Sequence, residues 1–142
     1  MTEEQTLLVR RSWKIFRSID PAIIGDVFYS KLFLDHPKLR KLFPKSMEEQ
    51  YKKLTDMLDS IISKLEKIDV ISKEIKALAE RHVQYGVKAE HYIMIGDALL
   101  WTLAHGLGKD WNSEVEEAWK NCFSTLSANM INASGYEEKV AS

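Results

Sequence analysis

Apolar residues recur along this chain at intervals of three and four, broken by short clusters of proline, glycine and capping residues. Leu54, Leu58, Ile61 and Leu65 form one stripe, reinforced by Met57 and Ile62, with Gln50 one turn earlier on the same face. Ile71, Ile75, Leu78 and His82 stand at offsets 0, 4, 7 and 11 and share a second face, opposite Lys73, Glu74, Lys76 and Glu80. Val115, Trp119, Phe123, Leu126 and Met130, with Ile131 beside them, make a third stripe. Leu8, Val9, Ser12, Trp13 and Phe16 trace a helix near the start, and Ile24, Val27, Phe28, Lys31 and Leu32 another, with Tyr29 adjacent to that face. From Glu90 to Leu107 the chain is nearly apolar all round, which predicts a central helix.

The boundaries carry their own signals. Thr2 and Gln5 have the spacing of a capping box, Asp20-Pro21 suits the start of a second helix, and Pro37 opens a short helical piece through Leu39, Leu42 and Phe43. Pro44 ends that piece, and Ser46 with Glu49 reads as a second capping box. Gly86 stops the helix that carries His82, and Asn112 or Ser113 caps the last helix, which ends at Gly135. No stretch alternates as a strand does, and no repeat of fixed period occurs. Seven helices of unequal length with two proline-marked corners predict an all-α fold, an irregular helical sandwich and not a four-helix bundle. One domain over residues 1–135 is expected, with 136–142 as a disordered tail.

Composition narrows the function classes. Twenty Lys and Arg against 21 Asp and Glu give a formal charge of −1 without a basic stripe, so neither nucleic acid nor an anionic membrane is an expected partner. The longest apolar runs are too short to span a bilayer, and the acidic start lacks the form of a signal peptide, so a cytoplasmic location is expected. Cys122 is the only cysteine and sits at a helical core spacing, which excludes an internal disulfide and favours a buried, inert thiol. No phosphate-binding glycine loop or nucleophile elbow is present. Exposed faces carry mixed charge, so a monomer is the default.

His82 is the chemically conspicuous residue. An imidazole on an apolar face at the last turn of a helix is either a satisfied core residue or, when neutral, a ligand to a transition metal. His36, before a proline, reads as a junction residue, and His105 as a cation at a helix end.

An ordered set of residues resembles the globins, and within them the bacterial single-domain haemoglobins and the globin part of flavohaemoglobins. The set comprises Trp13, Phe28-Tyr29, His36-Pro37, Leu42-Phe43, Gln50 and Leu54, His82 with Gly86-Val87, His91-Tyr92, and Ala118-Trp119. It covers residues 3 to about 134. The resemblance implies a haem b held by His82 from the proximal side, with Phe43 on the porphyrin face and Leu54, Leu58, Val87, Ile95 and Leu126 lining the pocket. Arg81 or Lys53 is placed to meet a propionate. Lys53 is also a potential sixth ligand, although a solvated lysine is its simpler reading. No Cys-x-x-Cys-His occurs, so covalent attachment is not expected.

On the distal side the resemblance implies that Tyr29 and Gln50 face the sixth coordination position. Without it, Tyr29 reads as an ordinary core tyrosine and Gln50 as a solvated helix residue. A phenol and an amide can both donate to the partly negative oxygen of bound dioxygen. Such a bond is worth about 1.5 to 3 kcal/mol, roughly 10- to 150-fold in release, so high affinity is expected. Tyr92 matches the tyrosine that assists the proximal histidine in flavohaemoglobins, but the accompanying glutamate's place falls on Ser134, with Glu137 one turn further on. The expected function is therefore reversible dioxygen binding at a five-coordinate ferrous haem, with carbon monoxide as a further ligand. The alternatives are nitric oxide dioxygenation with electrons from a separate reductase, and a gas-sensing or haem-free domain.

Overall fold

Six α-helices and three 3-10 turns account for most of the chain in a computed structural model, which describes residues 1–67 and 73–134. The helices are α1 (Glu3–Phe16), α2 (Pro21–Asp35), α3 (Glu48–Ser63), α4 (Lys73–Gln84), α5 (Ala89–Leu107) and α6 (Ser113–Ser134). The 3-10 turns span Pro37–Leu42, Leu65–Lys67 and Gly108–Asp110. No strand occurs among the described residues, and none of their helices is long and apolar enough to cross a membrane. The all-α expectation holds. Ile71 and the segment from Gly135 onward, including the expected tail and Glu137, lie outside the described residues.

Most of the predicted caps form. Thr2 and Gln5 complete a reciprocal capping box, with Gln5 N donating to Thr2 Oγ1 at 3.0 Å and Thr2 N to Gln5 Oε1 at 3.1 Å. Asp20 accepts from Ala22 N at 2.9 Å, and Asn112, not Ser113, accepts from Val115 N at 2.9 Å. The second capping box does not form. Helix α3 starts one residue later than its spacing requires, with Met47 at the cap and no side-chain bond there. The piece after Pro37 is a 3-10 helix, which suits six residues held between two prolines.

The helices meet through buried aromatic and small residues. Trp119 of α6 is fully buried and donates from Nε1 to Ser12 Oγ of α1 at 2.9 Å, while Ser12 Oγ donates to Leu8 O at 2.7 Å. Trp13, one residue on, donates from Nε1 to Asp59 Oδ1 of α3 at 2.7 Å. Helix α2 packs on α3 and α5, α1 on α5 and α6, and α4 on α6. At the α2–α3 crossing Gly25 lets the backbones approach; a Cβ there would lie 2.5 Å from Cβ of Tyr51. Helices α3 and α4 have no comparable contact with each other among the described residues. Gln50 and His82 thus belong to helices that are each packed on other neighbours.

Candidate functional site

His82 is held by its own helix. Its Nδ1 lies 2.7 Å from the carbonyl oxygen of Leu78, one turn earlier. A carbonyl can only accept, so Nδ1 carries the proton and Nε2 keeps the lone pair that coordinates a metal. The ring is half-buried, and desolvation, assisted by the positive charge of Arg81 and opposed by the Leu78 bond, depresses its pKa below the usual histidine value. The neutral, ligating form is favoured. The backbone beyond the ring is fixed as well. Val87 N donates to His82 O at 2.9 Å and Gly86 N to Val83 O at 3.0 Å, the two bonds of a Schellman turn, with Gly86 at φ +87°. Tyr92 of α5 is buried, its ring centroid 6.2 Å from that of His82.

Tyr29 is buried in a nest of rings at the α2–α3 interface. Phe28, Phe33, Phe43 and Tyr51 surround it, with centroids at 4.7, 5.8, 5.4 and 5.8 Å respectively. Gln50 Nε2 donates to its phenolic oxygen at 3.2 Å. Burial pushes the phenol's pKa up to about 12, against a smaller lowering by the Gln50 bond, so Tyr29 stays protonated. Its oxygen accepts from Gln50, leaving its own O–H as a donor.

The remaining expected residues divide by burial. Leu54 and Leu58 of α3, Val87, and Leu126 of α6 are buried in one continuous core, with Phe43 and Ile95 half-buried against it. Lys53 and Arg81 are exposed, as rim residues would be. Tyr29, Gln50 and Phe43 come together as one group, and His82 and Tyr92 as another. Ser134 ends α6, but its side chain is not among those described. His105 stacks on Trp101 at 3.9 Å and is exposed, in line with a structural role. Cys122 is buried, and desolvation raises its thiol pKa to about 12. Among the described residues no group of three or more His, Cys, Asp or Glu could hold a metal ion. A single half-buried imidazole whose Nδ1 is already bonded fits a metal whose other ligands come from a macrocycle.

Sequence reasoning did not single out Tyr51, Phe33 or Arg40 for this site. Tyr51 stacks on Tyr29 with rings inclined by 23°; it lies three residues before Leu54 on the same helical stripe, the signal that could have found it. Arg40 ties down the corner that carries Phe43, through backbone carbonyls that leave no trace in a residue pattern.

A family model described as "Globin" matches residues 26–130. The chain belongs to the globin family. Membership implies haem binding, and the donor set around His82 fits it. This globin is similar to an uncharacterized globin-like protein of Aquifex aeolicus, 28% identical over 92% of this chain and 93% of the relative. It is also similar to the flavohemoprotein of Vibrio cholerae, 23% identical over 95% of this chain but only 35% of the relative's length. Among solved structures, a hexacoordinated heme protein from an anhydrobiotic tardigrade, studied at pH 4, superimposes with a TM-score of 0.82. The match covers 94% of this globin and 95% of that chain at 18% identity, a likeness of fold.

Proposed function

We propose that this globin holds haem b through His82 Nε2 and binds dioxygen reversibly and with high affinity at a five-coordinate ferrous iron. Haem supplies the gas-binding position and the electron that polarises the ligand. His82 fixes it by one nitrogen, since the Leu78 carbonyl occupies the other. Phe43, Leu54, Leu58, Val87, Ile95 and Leu126 supply apolar walls that exclude water, and Arg81 and Lys53 have the charge to pair with propionates at the rim.

The observation that carries the dioxygen reading is the bond from Gln50 Nε2 to Tyr29. It orients the phenol while leaving its proton for a polar ligand. Five-coordination is supported by the poor ligand quality of the groups on that side. Tyr29 is a protonated phenol, Gln50 an amide, and Lys53 is exposed. The tardigrade protein of similar fold is a hexacoordinated heme protein, and the ferrous spectrum before gas is added distinguishes the two coordination states.

Nitric oxide dioxygenation with electrons from a separate reductase is a second reading, favoured by the similarity to a flavohemoprotein. The placement of Ser134 where a proximal glutamate is expected weighs toward the carrier. Absorption spectra test the proposal: purified protein reconstituted with hemin, reduced with dithionite, then given air or carbon monoxide. A high-spin ferrous spectrum that shifts with each gas is expected. A low-spin ferrous spectrum before gas would refute five-coordination, and no Soret band after hemin would refute the haem site. Multiple turnovers of nitric oxide with an added reductase would establish the enzyme instead.

A further inference from the structure

We infer that Arg40 is a positioning residue for the haem-facing corner, a guanidinium clamp that fixes Phe43 and, through it, the Tyr29 donor. The inference rests on the proposed haem site for its consequence, though not for its geometry. Between the 3-10 turn ending at Leu42 and the start of α3 at Glu48, the backbone turns a corner in which the carbonyls of Phe43, Pro44 and Lys45 lie outside the helical bonding. Three consecutive carbonyls point at one side chain. Arg40 Nη1 donates to Phe43 O at 3.3 Å and to Pro44 O at 2.9 Å, and Nη2 donates to Lys45 O at 2.9 Å. A planar fork spreads its donors over two rigidly held nitrogens and so reaches three carbonyls in a row, whereas an ammonium gathers its three donors on one atom at the end of a flexible stem.

The same guanidinium lies 5.5 Å from the centroid of Phe33, within range of a cation–π contact. Phe33 meets Phe43 at 5.4 Å, and Phe43 meets Tyr29 at 5.4 Å. Arg40 therefore touches the corner from its backbone side and the aromatic nest from its ring side. Leu42, the residue before Phe43, reaches the far end of the site: a Cβ on Gly86 would lie 3.4 Å from Leu42 Cδ2, so the corner also abuts the turn after His82. A corner that is held before haem arrives loses less freedom when it closes on the ring, and this slows haem loss.

The test compares Arg40→Ala and Arg40→Lys with the wild type in three readouts. Hemin transfer to an excess of a haem-scavenging protein should be about tenfold faster in Arg40→Ala, the scale expected for losing charge-assisted bonds. Arg40→Lys should restore less than half of that on a logarithmic scale. The carbon monoxide stretching band should broaden or split in Arg40→Ala as Tyr29 and Phe43 sample more than one arrangement, a change that a general loss of stability would not produce. Amide exchange at Phe43, Lys45, Ser46 and Met47 should accelerate in apo-Arg40→Ala while α1 and α6 keep their protection. Hemin release within twofold of wild type with an unchanged band would overturn the inference, as would full rescue by lysine. If the wild type takes up no hemin, the haem reading fails and amide exchange alone decides whether the clamp exists. Should Arg40→Ala not fold, the lysine variant carries the same comparison.

Discussion

Gln50 of α3 donates from Nε2 to the phenolic oxygen of Tyr29 of α2 at 3.2 Å, a side-chain hydrogen bond that joins two helices at the site. Its direction matters, because a tyrosine that accepts from glutamine keeps its own proton to give. Tyr29→Phe removes that donor without emptying the ring's place in the nest. Dioxygen dissociation from the ferrous protein should accelerate by about 10- to 150-fold, corresponding to about 1.5 to 3 kcal/mol. Stopped-flow mixing with carbon monoxide measures it. Gln50→Leu should accelerate release less, since the phenol remains. An unchanged rate in Tyr29→Phe would remove Tyr29 from the ligand-stabilising role.

Alkaline pH offers an independent view of the same residue. Burial raises the Tyr29 pKa from 10.0 to about 12, so the unfolded chain loses this proton first as pH rises. The contribution to stability is complete below the unfolded value and is lost as pH climbs through the window from 10.0 to about 12. Tyrosinate absorbance near the upper end of that window should lose one component in Tyr29→Phe. The fall of the urea midpoint across the window should be shallower in that variant. A Tyr29 that titrates like an exposed phenol would mean the ring nest is open to water.

The α2–α3 crossing should be intolerant of a single methyl group. A Cβ at Gly25 would sit 2.5 Å from both Cβ and Cγ of Tyr51, atoms too close to the backbone to swing away. Gly25→Ala should therefore cost about 1–3 kcal/mol in urea unfolding and loosen the Tyr29–Gln50 pair. Gly96 of α5 provides the contrast, since a Cβ there meets nothing within 4 Å. Gly96→Ala should be neutral or stabilise by up to about 1 kcal/mol through helix propensity. Equal effects at the two positions would count against the close crossing.

Helix existence was legible in the residue pattern because burial on one side imposes a period that a reader can count. The stripes of α3, α4 and α6 and the apolar run of α5 all follow it, and Thr2, Asp20 and Asn112 cap where short polar side chains can reach free amides. The start of α3 departs from the pattern: Ser46 and Glu49 satisfy the spacing of a capping box, yet the helix begins at Glu48, after the corner bound by Arg40. His82, with Gly86 after it, announced one end of the site through local spacing and resemblance.

What the sequence by itself determined, then, is whatever depends on neighbours along one helix: the elements, most of their ends, the buried face of α4 and the candidate imidazole upon it. Tertiary structure alone decided which elements meet. It set Gly25 against Tyr51, brought Gln50 to Tyr29 across 21 positions of sequence, and gathered three corner carbonyls onto Arg40. The physical reason is that periodicity records which side of an element is dry. The partner on that side is chosen by packing between distant segments, and a hydrogen bond to a backbone carbonyl is written in no side chain at the accepting end.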